Sequence, residues 1–234
     1  MQQQSQQLRA AALIRPTTIL KIIVLMLCAA GPLFAQSSLA LRLPFQTESS
    51  EPITFMRAPY QVHPEVTSGA PAGFSPAQIR HAYGFDQIAN QGASQIIGIV
   101  DAYDDPNAES DLGVFNSKFG LPACTTSNGC FRKIYAAGTK RPAANANWAL
   151  EISLDVQWAH AIAPKATILL VESASNSLGD LTTAVDVAVR NGASVVSMSW
   201  TVGEFSSESR QDNHFVSTGV TFLAASGDAG TGAA

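Results

Sequence analysis

Charge is scarce in this chain: Asp, Glu, Lys and Arg make up 14% of the 234 residues and sum to −4. With so few cations there is no basic footprint for a phosphate backbone or an anionic bilayer, which argues against nucleic acid and membrane surfaces as partners. The small acidic surplus is compatible with work in an acidic medium. Histidine numbers four, and His63, His81 and His214 sit in contexts without ligand spacing, so no metal motif emerges. Internal repeats are absent. The longest uninterrupted apolar run covers residues 22–30, too short to span a bilayer comfortably. Otherwise the composition, 46% hydrophobic, is that of an ordinary soluble protein with one sizeable domain or most of a larger one.

That apolar run has a function of its own. Residues 1–21 carry Arg9, Arg15 and Lys21 and no acid; Gly31-Pro32 and Leu33-Phe34-Ala35 follow the run. A basic region, a short apolar core, a breaker and a small residue read as a secretory signal peptide over 1–35, and hence a secreted or periplasmic protein. Cys28 lies inside it, after residues too bulky for a lipoprotein cleavage site. Cys124 and Cys130 remain, flanking Ser127-Asn128-Gly129. In an oxidising compartment this pair reads as a local disulfide, contributing about 2 kcal/mol because the loop is short. A metal site would need partners that this loop lacks.

Residues 36–74 are rich in Ser, Pro, Ala and Gly and read as a linker or N-terminal arm. Beyond them, short apolar strands (95–100, 166–171, 194–199, 220–225) alternate with helices. These are a capped helix over 75–83, one opened by Asp105-Pro106 and closed by Gly120, one over 145–163 halted by Pro164, one from the capping box at Ser177 to Asn191-Gly192, and one over 208–217. The alternation predicts an α/β fold, a parallel sheet with helices on both faces, with function gathered beyond the carboxyl ends of the strands.

The helix around Trp148 decides the chemistry. Glu151 and Asp155 lie four residues apart and emerge from one face, surrounded by Trp148, Leu150, Ile152, Leu154, Val156 and Trp158. Exposed, they form a small acidic face. Buried, they must share a proton, a state suited to general-base work at acidic pH. His160 lies about 180° around the helix from Glu151, so it faces elsewhere and reads as a structural histidine.

Tyr83-Gly84-Phe85, Ile99-Val100-Asp101, Glu151-x-x-x-Asp155, Ala163-Pro164-x-Ala166, Val195-Val196-Ser197-Met198-Ser199-Trp200 and Ala225-Ser226-Gly227-Asp228 occur in this order. From about Ser75 onward the chain thereby resembles the sedolisin family of serine-carboxyl peptidases, acid-acting relatives of subtilisin. The resemblance implies a subtilisin-like peptidase domain over 75–234, truncated at its C-terminal side, and a polypeptide substrate. It implies Glu151 as general base, Asp155 as the group that orients it and Asp228 as a protonated donor in the oxyanion hole. Trp200, Glu204 and Gly227 would line the substrate cleft, although Thr201-Val202 stands where the family has Gly-Gly. Asp101 is expected to shape the turn before Asp105-Pro106.

The family's nucleophile lies in a Gly-Thr-Ser segment, and no Gly-Thr-Ser occurs in these 234 residues. A large folding propeptide is not evident in 36–74. Calcium is expected in a full-length family member, but its loop would lie later than Ala234. The last strand, lacking neighbours, is expected to expose apolar surface. Two alternatives stand beside the peptidase. One is a secreted, non-catalytic peptide-binding module derived from the same fold. The other is a nucleotide-binding protein suggested by Gly227-Asp228-Ala229-Gly230-Thr231-Gly232, whose spacing is not the dinucleotide fingerprint and which no lysine follows.

Overall fold

The computed structural model describes residues 54–58 and 73–227; the segment 1–35 expected to be a signal peptide and Asp228 lie outside the described residues. Four apolar runs form β1 (Ile96–Ala102), β3 (Thr167–Ser173), β4 (Val195–Met198) and β5 (Thr221–Ala224), and the mixed segment Phe131–Tyr135 forms β2. They pair in the order β2-β3-β1-β4-β5, every pair parallel. Parallel neighbours need long crossovers. Helix α1 (Pro76–Ala82) precedes the sheet, and α2 (Ala108–Phe119), α3 (Ala146–Ile162) and α4 (Leu178–Arg190) lie between its strands.

The strand period of two sends alternate side chains to opposite faces, and each face has its own core. Val100, Leu169, Val171 and Val196 pack with Leu181, Ala184, Val185 and Ala188 of α4 on one side. Ile99, Ile168, Leu170 and Phe131 pack with Leu112 of α2 and with Ile152 and Val156 of α3 on the other. Ile152 and Val156 are fully buried, each worth about 1.5–3 kcal/mol of removed apolar surface. The predicted α/β fold, a parallel sheet covered on both faces, is the one observed.

Local signals explain the helix ends. Ser75 accepts from the Gln78 N–H while the Gln78 side chain reaches back to the Ser75 N–H, a reciprocal capping box with Pro76 at the first helical position. The Asn145 side chain accepts from Asn147 and Trp148 N–H groups and starts α3. Gly120, at φ 67°, closes α2 in the left-handed region. Gly98 is needed for a different reason. A Cβ there would stand 3.0 Å from the Ala193 Cβ and 3.1 Å from the Ala188 Cβ, so α4 approaches β1 only because this position is bare. Gly98→Ala is expected to cost about 1–3 kcal/mol by overpacking; an unchanged urea midpoint would contradict this close approach.

Three features depart from the sequence reading. Strand β2 was not predicted. The helix expected over 208–217 is a 3-10 helix, Glu208–Phe215, because its polar sequence offers no apolar stripe for an α-helix to bury. Within the 36–74 stretch, residues 54–58 pack against the domain, with Met56 buried in the α4-side core. Strand β5 pairs with β4 at one edge and leaves Leu223 exposed. Among the described residues no helix is long and apolar enough to cross a membrane.

Candidate active site

The same alternation decides which polar side chains meet at the carboxyl ends of the strands. Ile99 faces α3, so Asp101, two residues on, takes that face; Leu170 carries Glu172 to it in the same way. Met198 and Trp200 belong to the opposite core, which puts Ser199 on the α3 side. Helix α3 brings Glu151 and Asp155 to this corner from above. Glu151 is only 3% exposed, so the acidic pair is not a solvated face.

Buried carboxyls in this number cannot all be ionised. The Asp101 carboxyl is raised well above its ordinary value, first by burial and then by repulsion from Asp155, Glu151 and Glu172. Neither of its oxygens has a hydrogen-bond partner among the described residues. Burial also pushes Asp155 up to about 6, against a hydrogen bond from the Ser199 side chain that favours its ionised form. Asp155 is reachable: with Ile97, Leu154, Trp158 and Ser197 it lines a shallow, mostly apolar depression open to solvent. The expectation that Asp101 shapes the following turn is corrected. Its side chain is completely buried and belongs electrostatically with the acids of α3.

A second cluster adjoins the first. Lys133 Nζ lies 2.7 Å from Asp104 Oδ1 and 2.9 Å from Glu172 Oε1. Arg141 clamps Asp104 Oδ2 through Nε at 2.8 Å and Nη2 at 2.6 Å. Burial works to raise Asp104, but the hydrogen bonds from Arg141 and Lys133 outweigh it and hold this carboxyl low. For Glu172 burial wins, and despite Lys133 and the Asp105 N–H its carboxyl rises to about 8. These groups anchor the loop after β1 and fix the floor under Asp101.

At the same end of the sheet, between Thr201 and Ser177, runs an extended segment, residues 54–58. Arg57 and Thr201 exchange both backbone hydrogen bonds at 3.0 Å in an antiparallel bridge, and Phe55 bridges Ser177 on the other side. The Met56 N–H donates to Asn176 O at 2.7 Å, the Leu178 N–H to Thr54 O at 2.8 Å, and Asn176 Nδ2 to Met56 O at 2.7 Å. Tyr103 holds Asn176 by a 2.8 Å bond from its hydroxyl to Oδ1 and sits at φ 66°, a strained setting for a bulky residue.

Among the other residues singled out in sequence, Trp200 is buried and its Nε1 donates to Val100 O at 3.0 Å, so its indole is core and only the backbone around it borders residues 54–58. Glu204 is exposed. Gly227 takes φ 82°. Asp228 lies outside the described residues. The Cys124–Cys130 disulfide forms as expected. His160 does face away from Glu151 and Asp155, but it is completely buried against the disulfide loop, its Nε2 donating to Pro122 O at 2.9 Å. Lys133, Glu172, Tyr103 and Asn176 were not anticipated from the sequence; for the last three the available signal was their place just inside or beyond the carboxyl ends of β3 and β1, and Lys133 sits in the middle of β2.

The class defined by this arrangement is an α/β protein with a parallel sheet and a buried carboxyl cluster at the carboxyl ends of its strands. No family model matches the chain, and no match is found among curated proteins. Among solved structures, the fold is similar to that of Pseudomonas sedolisin, a serine-carboxyl proteinase, complexed with two molecules of pseudo-iodotyrostatin. The identity is 22% and the TM-score 0.54, over 70% of this chain and 47% of that one. The chain thus spans about half the length of that structure, and the likeness is one of fold.

Proposed function

We propose that this chain is part of a secreted serine-carboxyl peptidase that cleaves polypeptides at acidic pH. The observation that carries the reading is the burial of Glu151 beside Asp155 and Asp101 on one corner of the sheet. Carboxyls crowded this way hold protons to unusually high pH, and a group of them that is part protonated, part ionised can move a proton where an imidazole would otherwise be needed. In this reading Glu151 takes the proton from a serine hydroxyl, and Asp155 holds Glu151 in orientation. Asp228, protonated, donates to the oxyanion, with Gly227 giving the backbone room for substrate. In this reading the nucleophilic serine and any calcium loop are not among these 234 residues, which hold no Gly-Thr-Ser. Residues 54–58 trace the path an extended substrate would take, paired antiparallel with Thr201 on one side and Ser177 on the other.

That pairing also favours the second reading, a non-catalytic module that binds peptides along the same path. One experiment separates the two. The chain is expressed together with the coding sequence that follows Ala234 and given an unfolded protein substrate at pH 3–5. The peptidase reading expects acid-dependent cleavage that stops on Glu151→Gln. Binding without cleavage, or cleavage indifferent to Glu151, would remove it.

A further inference from the structure

The disulfide loop and α3 bring three metal-ligating side chains together on the side of α3 turned away from Glu151 and Asp155. Cys124 Sγ, Cys130 Sγ and His160 offer ligand atoms that all lie within 4.8 Å of one another. Cys124 and His160 are buried and Cys130 is partly exposed, which leaves one approach from solvent. The protonation of His160 is fixed by its neighbours. Pro122 O, 2.9 Å from Nε2, can only accept, so Nε2 carries the proton. Nδ1 is then a bare acceptor, and it points at Cys130 Sγ, 3.9 Å away. A disulfide sulfur has no proton to give. A buried nitrogen lone pair therefore faces the Cys130 sulfur with no donor among the described residues to satisfy it.

A histidine whose far nitrogen donates to a backbone carbonyl while its near nitrogen is bare is set up as metal-binding histidines usually are, with tautomer and ring orientation fixed by that outer bond. Two thiolates and one imidazole suit a borderline-soft d10 cation, and three protein ligands leave a fourth position for water. We propose that Cys124, Cys130 and His160 form a zinc site that the disulfide masks and that reduction opens. The step balances simply. An external dithiol gives two electrons and two protons to the Cys124–Cys130 bond, which becomes two thiols, while the dithiol leaves as its cyclic disulfide. Zn²⁺ then displaces both thiol protons. With Zn–S at about 2.3 Å and Zn–N at about 2.0 Å, tetrahedral ligands stand roughly 3.5–3.8 Å apart. His160 is already near that separation from Cys130, and the two sulfurs must part once the bond between them is broken. Gly129, at φ 78° with open space around its Cα, lies in the loop that yields.

The test uses the full chain carrying Cys28→Ser, so that the only two thiols are those of the loop. It is reduced with dithiothreitol, freed of reductant under argon and titrated with Zn²⁺ or with Co²⁺ as a coloured probe. The expected result is one metal per reduced chain with a thiolate-to-cobalt absorption band, no such binding by the oxidised chain, and affinity lowered more than tenfold in His160→Gln. Zinc should also raise the melting temperature of the reduced chain, since a ligand that binds the folded form stabilises it. Equal binding by oxidised and reduced chains would overturn the proposal by locating the metal elsewhere. Binding indifferent to His160→Gln would overturn it by showing two free thiols acting alone. A reduced chain that is unfolded and that zinc does not refold would overturn it too.

Discussion

Glu151→Gln, in a chain extended through the nucleophile, is expected to lower kcat/KM by about 10²–10⁴-fold, the usual contribution of a positioned general base. The amide keeps the size and planarity of the carboxyl and removes its ability to accept a proton. Asp155→Asn should fall short of that loss if its part is to orient Glu151, since an orienting group acts through its neighbour. The distinguishing measurement is the pH profile. Asp155, held up at about 6, is the acid whose titration should shape the alkaline limb of the wild-type curve. Asp155→Asn should move that limb, whereas Glu151→Gln should depress the whole curve. A Glu151→Gln enzyme with wild-type kcat/KM at pH 4 would end the assignment of Glu151. Melting curves of both variants at pH 4 separate lost chemistry from lost folding.

The parts of this site legible in the sequence are those whose partners are near in sequence. Glu151 and Asp155 are related by one helical turn, so a helix predicted from Asn145 and Pro164 places them together without any knowledge of the sheet. Ser75 with Gln78, and Cys124 with Cys130, are equally local. Asp101 fails for the opposite reason: followed by Asp104 and Asp105-Pro106, it looks like turn chemistry, and only the arrival of α3 some fifty residues later shows that it is a buried third acid. Strand β2 was missed because Phe131-Arg132-Lys133-Ile134-Tyr135 spends its central inward position on a cation. Lys133 belongs in the interior only because Asp104 and Glu172 are there to receive it, and those partners come from β1's following loop and from β3. His160 was legible as a structural histidine turned from the acids, but its partners, supplied by the loop before β2, were not. Long-range pairing of polar groups leaves no period to read.

The fold should be more stable in acid than at neutrality, and the sign follows from which state holds the protons. Asp155 binds its proton up to about pH 6 in the folded chain, against an ordinary 3.8, so around pH 5 the folded state carries a proton that the unfolded state has released. Stability then falls as pH rises. The favourable contribution is complete below about pH 4 and is lost as pH passes 6, a change on the order of 3 kcal/mol from Asp155 alone. Asp101 and Glu172 work in the same direction, and Glu172 extends the loss toward pH 8, moderated by Lys133 at 2.9 Å. Asp104 opposes them. Held low by Arg141 and Lys133, it stabilises above about pH 4 and withdraws that help only as pH falls through its lowered value. Between pH 4 and 7 the three raised acids outnumber it. The Asp155 share alone should lower the melting temperature by about 6–12 °C over that interval for a domain of this size, and the other two raised acids add to it. In Asp155→Asn, whose amide cannot titrate, the drop should shrink by most of the Asp155 share while the pH 4 value stays close to wild type. A melting temperature that is flat or rises from pH 4 to 7 would mean that these carboxyls are solvated in solution, and the proton-sharing site would fall with them.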